Sequence, residues 1–157
     1  MKNLRLITML LALFLIACSS ESMSSKEHKS FDPMSSAKML AAANIVDAVN
    51  AKSADQYGRD LHSDVLVKMY DGAVVLRGRD AVIQNRRQHF ENNPDARNEL
   101  IHLVEIDNRV VMHDKVWLDG NSEGEASDIV EVFTFEDDKI IQIDVIQPAD
   151  LFADRAR

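Results

Sequence analysis

The chain has 157 residues, the length of one ordinary domain, and carries 18 basic against 26 acidic side chains for a formal charge of -8. That balance argues against nucleic acid as a partner, because neutralising phosphates takes a basic patch and no run of basic residues lies outside the first five residues. One cysteine and five histidines without ligand spacing such as CxxC or HExxH give no metal site and call for no cofactor.

Taken in order, the chain opens with Lys2 and Arg5 followed by an apolar run, Leu6 to Ala17. About a dozen residues are too few to span a bilayer, so residues 1–17 are predicted to be a signal peptide. The run ends in Leu15-Ile16-Ala17-Cys18, which resembles the lipobox of bacterial lipoproteins, with Cys18 as the lipidated residue. Acyl chains there would bind the lipid bilayer at about 0.8 kcal/mol per buried CH₂. The resemblance also implies, from Ser19, an address at the periplasmic face of the outer membrane. Cleavage would remove Lys2 and Arg5 and no acid, taking the net charge from -8 to -10. Residues 18–35 are Ser-rich and poor in large apolar side chains, the composition of a flexible tether with a mean reach of roughly 20–25 Å.

Residues 36–157 are predicted to form the folded domain. Ser35 or Ser36 caps a helix to about Ala51, with Met39, Ala42, Ala43, Val46 and Val49 on one stripe. Ser53 starts a shorter helix through Leu61, with Tyr57 inward. Asp64–Tyr70 alternates as a strand, Asp71-Gly72 turns, and Ala73–Leu76 makes a second strand. A third helix covers Asp80–Asn92 and stops at Asn93-Pro94; Arg86-Arg87 on it is expected to be a solvated face. Asn98 to Pro148 then reads as an antiparallel meander. Turns are expected at Asp107-Asn108, between Gly120 and Gly124, and at Asp137-Asp138, since Asp and Asn tolerate the backbone that tight turns need. The order α-α-β-β-α-β-β-β-β gives the α+β class.

With IVDAVNAKSADQY, LHSDVLVKMYDG, RGRDAV and VEVFTFEDDKIIQIDVI in place, the chain resembles the SnoaL-like domains of the nuclear transport factor 2-like superfamily over about residues 36–147. The resemblance implies a cone: a strongly curved mixed sheet wrapped around three helices, open to a pocket at one end. It also implies that a homodimer through the outer face of the sheet is open to the chain. Ketosteroid isomerases of this fold, a worked case of pKa tuning, keep acids or tyrosines where this chain has Ile45, Met69 and Glu131. Limonene-type epoxide hydrolases have an Asp-Arg-Asp set where this chain has Trp117, Lys115 and Asp144. The catalytic candidates implied are therefore Asp144, Glu131 and Lys115, with Asp144 as general acid or base. His113, Trp117, Met69, Tyr70 and Phe133 are the expected ligand-binding wall, and His102 is expected in the core. If strand alternation points all of these into the cone, the charged ones must pair or perturb one another. Two functions stay open: a module that binds a small apolar molecule or a protein partner without chemistry, and a cofactor-independent hydrolase, isomerase or cyclase acting through Asp144.

Overall fold

The computed structural model describes residues 36–120 and 124–148. The expected signal peptide, lipidated Cys18 and tether lie outside the described residues, as do the middle of the turn between Gly120 and Gly124 and residues 149–157.

Helix α1 spans Ala37–Asn50; its N-cap is Ser36, whose hydroxyl accepts the Met39 N–H at 3.0 Å. Alanines and branched side chains bury most of its length, together with one polar residue, Asn44. The Asn44 amide donates to the Gln56 carbonyl at 3.1 Å and to the Asp60 carboxylate at 3.2 Å, so its burial costs no hydrogen bond. Helix α2 is only Ala54–Gly58, capped by Ser53. The predicted helix through Leu61 is too long: Leu61 already begins strand β1, Leu61–Met69. Strand β2 is Val74–Arg77, and α3 runs Arg79–Asn92 from Gly78, whose φ of +84° suits glycine and whose N–H reaches the Val65 carbonyl at 2.8 Å.

The meander follows as β3 Arg97–Ile106, β4 Arg109–Trp117, β5 Ser127–Glu136 and β6 Lys139–Ile146. Asp107, Asp137 and Asp138 all adopt positive φ, as the tight-turn reading required. The six strands form one sheet in the order β2-β1-β6-β5-β4-β3. Only β1–β6 is parallel, which makes the sheet mixed; the other neighbours are antiparallel. The α+β cone, in the order α-α-β-β-α-β-β-β-β, is the architecture found.

The core lies between α1 and the inner sheet face. Ala42, Ile45 and Val46 meet Val65, Val110, Met112, Phe133, Ile140 and Ile143, all of them nearly or wholly excluded from water. At about 25 cal/mol per Å², this apolar burial is the main drive holding helices to sheet.

Candidate functional site

Strand alternation decides which polar groups enter the cone. On β4 the buried parity is Val110, Met112, Asp114 and Val116. On β5 the inward residues are half-buried Glu131 with buried Phe133 and Phe135, and on β6 buried Ile143 with half-buried Val145. These walls, with α1 and α3, line a cavity of about 320 Å³ that is open on one side. Its apolar lining includes Ile45, Val49, Val67, Met69, Val82, Val116 and Val145; its polar lining is Tyr57, Asn85, Arg86, His89, Asn98, Asp114, Glu131 and Gln147. The volume sits at the small end of ligand cavities, which run from roughly 300 Å³ upward.

Two of the eight expected pocket residues, Glu131 and Met69, line this cavity. Phe133 points inward as expected but is fully buried in the core beneath the cavity. Tyr70 lies past the end of β1 and is 71% exposed. Lys115, His113 and Trp117 do share a face, but it is the outer one, because Asp114 takes the inward parity. There His113 Nε2 and Asp128 Oδ1 are 2.7 Å apart, and Lys115 is flanked across the strands by Glu99 and Asp128. Trp117 is covered by the Arg97 guanidinium at 4.3 Å and donates its indole N–H to the Gly124 carbonyl at 3.3 Å. Asp144 is also outward, since its neighbours Ile143 and Val145 point in. It accepts from the Gln142 amide at 2.7 Å, and Gln142 in turn accepts from Lys68 at 2.8 Å. Lys115, Glu131 and Asp144 therefore do not converge. His102 is exposed on the outer face, its ring 5.7 Å from that of His113, because the β3–β4 register shifts between Leu100 and His102.

The acid that joins Glu131 is Asp114. Cross-strand register sets Met112 opposite Glu131 and Asp114 opposite Ile129, so the two acids are diagonal neighbours on one face, a separation that long side chains can bridge. Asp114 is 1% exposed; its Oδ2 accepts from the Asn98 side-chain amide, while its Oδ1 finds no donor among the described residues. Burial pushes its carboxyl up to about 6, against the opposing pull of Asn98 and His113. Burial, and then the charge of Asp114, pushes Glu131 to about 8, while Arg86 draws it down. The Tyr57 phenol is raised above its ordinary range, chiefly by burial and then by Glu131, so it is a neutral hydroxyl at neutral pH. The Arg86 guanidinium donates to Asn85 Oδ1 at 2.7 Å and lies 5.5 Å from the centre of the Tyr57 ring. Arg86 thus faces the cavity rather than solvent; only Arg87 meets the expectation of a solvated pair, bound to Asp55 at 2.6 Å.

Chemically, the cavity offers an apolar box with a protonated acid, a second acid of lower pKa, a phenol, and a guanidinium. Among the described residues no cluster of histidine, cysteine and carboxylate side chains could hold a metal ion.

Comparison with known proteins agrees with this architecture. An uncharacterised protein of cystatin fold from Novosphingobium aromaticivorans superposes with a TM-score of 0.63 at 25% identity, covering 69% of this chain and 97% of that one. A candidate SnoaL-like polyketide cyclase from Jannaschia sp. gives a TM-score of 0.60 at 15% identity, over 76% and 90% of the two chains. A candidate ketosteroid isomerase from Kribbella flavida gives 0.59 at 15% identity, over 71% and 78%. At 15% identity these two likenesses are of fold alone. No curated protein matches the sequence. The SnoaL-like domain family matches residues 42–143, more than half of the chain and every element that builds the cavity from Ile45 to Glu131, and the chain belongs to that family.

Proposed function

We propose that the domain binds a small molecule with an apolar body and a hydrogen-bonding oxygen, such as a carbonyl, inside the cone. The observation that supports this is the Asp114–Glu131 acid pair set in an otherwise largely apolar cavity. A carboxyl held protonated near neutral pH is a donor, and a ligand acceptor oxygen is the partner it lacks. Asp114 Oδ1, buried without a donor among the described residues, is the matching acceptor for a ligand hydroxyl. The Leu15-Ile16-Ala17-Cys18 run supports a further part of the reading: the domain is held by acylated Cys18 at the periplasmic face of the outer membrane.

NMR titration with cyclohexanone and 2-heptanone tests the binding reading. The expected result is saturable shifts of the Met69 methyl and of Val145, abolished in Glu131→Ala. Shifts confined to the outer sheet face, or none, would refute it.

A second reading is favoured by one specific observation: two acids stand diagonally on one face of the cavity in unequal environments, both raised by burial and Glu131 further because the charge of Asp114 adds to it. Such a pair suits a base and an acid working on one substrate, with Asp114 taking a proton and Glu131 supporting the developing oxyanion. This moves the acid–base role from Asp144 to Asp114 and Glu131. Under this reading the protein would exchange the α-hydrogens of a bound ketone with D₂O. Asp114→Asn would slow the exchange by about 10²–10⁴. Saturable binding with exchange no faster than in buffer leaves the binding module as the function.

A further inference from the structure

Arg86 is a cation in the ligand cavity with no ion-paired carboxylate among the described residues. Its neighbour Arg87 pairs with Asp55 at 2.6 Å, yet no described carboxylate comes within ion-pair distance, 4.0 Å, of Arg86. The groups that hold it are neutral: Asn85 Oδ1 accepts at 2.7 and 3.3 Å, and the Tyr57 ring lies 5.5 Å below. The two bonds to Asn85 use Nε and one Nη, which leaves the other Nη without an acceptor among the described residues. The side chain is half-buried, so the guanidinium has given up part of its hydration. A planar fork fixed by an amide and an aromatic ring is preorganised for a planar anion, because little rotamer freedom remains to be lost on binding.

We propose that the ligand of this cavity carries a carboxylate, which Arg86 binds, in addition to the oxygen function that faces Asp114 and Glu131. This rests on the binding reading above and narrows it from a neutral molecule to an oxo or hydroxy acid. The layout gives each end of such a molecule its own partner. Arg86 projects from α3, whereas Asp114 and Glu131 project from β4 and β5 of the sheet. Their charges reach one another, since Arg86 draws the Glu131 carboxyl down, but no contact joins them. Ile45, Val49, Val116 and Val145 supply the apolar walls between. Burial of both sheet acids favours their protonated forms, which lessens the repulsion an entering carboxylate would meet.

The test uses three matched probes: 6-oxoheptanoate, its primary amide, and 2-heptanone, each titrated by NMR into the wild-type protein. The carboxylate should bind at least tenfold more tightly than the amide. In Arg86→Met the two should fall within about twofold of each other, and Arg86→Lys should keep part of the preference as a point charge without the fork. Arg87→Met should leave all three affinities unchanged, and a native-like amide spectrum certifies each variant as folded. Equal affinities for acid and amide in the wild type overturn the Arg86 proposal while the binding reading stands. A preference that survives in Arg86→Met overturns it too. No saturable binding of any probe removes both.

Discussion

Burial raises the pKa of Glu131 from 4.5 to about 8 and that of Asp114 from 3.8 to about 6. The folded protein therefore holds these protons more tightly than the unfolded chain. The stabilisation this gives is complete below about pH 4 and is lost as pH rises through 6 and then 8. Glu131→Gln removes the larger contribution, so its stability relative to wild type should rise between pH 4.5 and pH 8, with a Tm higher by a few degrees at the upper end. Thermal unfolding of both proteins across that range checks this, and a difference that does not change with pH would count against a buried Glu131. The inward place of Glu131 is legible in the sequence, because Phe133 and Phe135 share its parity. The place of Asp114 was equally legible: Val110, Met112 and Val116 are an apolar alternation that includes it. Aligning the strand on the epoxide-hydrolase pattern chose the other parity, and a slip of one residue exchanges the faces completely. Arg86 was legible as well: it stands four residues from Val82 and four from Phe90, on the inner stripe of α3, and only its charge and its neighbour Arg87 suggested a solvated face.

Elements hold these residues through a few specific clasps. Asn50, at the end of α1, exchanges two hydrogen bonds with the Asn98 backbone, both at 2.9 Å. Asn98 in turn gives its side chain to Asp114. Just beyond α1, Lys52 donates its ammonium to the carbonyls of Val49 and Ala96, tying the same corner to the start of β3. Asn50→Ala should cost about 1–2 kcal/mol, since each lost bond is worth roughly 0.5–1.5. If it also loosens Asn98, the Asp114 pKa should climb, because the Asn98 bond is the largest of the pulls that lower it. A denaturant midpoint unchanged from wild type would show that the clasp contributes nothing. Gly120 marks a second corner: its φ is +73°, and a Cβ there would clash with the Asp95 carbonyl oxygen. Gly120→Ala is expected to destabilise by about 1–3 kcal/mol, measurable by the same unfolding experiment. Element order and type were legible from turn chemistry and periodicity. The early end of α2 and the register shifts of β3 and β6 were not, because they answer to neighbours distant in sequence.

For the whole molecule, the proposed lipid anchor at Cys18 is open to direct test. Cys18→Ser should leave an unlipidated precursor that keeps residues 1–17. Intact-mass measurement of wild type and variant checks it, and a wild-type mass without acyl chains would remove the membrane from the account. Lys115→Met and Asp144→Asn act on the outer face and should leave cavity binding unchanged, in contrast to changes at Glu131, Asp114 and Arg86. The central claim is that Asp114 and Glu131 form one coupled acid pair inside the cavity. Its most direct test is a ¹³C-NMR titration of the side-chain carboxyl carbons in wild type, Asp114→Asn and Glu131→Gln. The account predicts that both groups titrate above the ordinary range of about 3.9–4.3, with Glu131 higher, and that Glu131 moves down when Asp114 loses its charge. Both groups titrating near 4, each unaffected by the other's substitution, would contradict it.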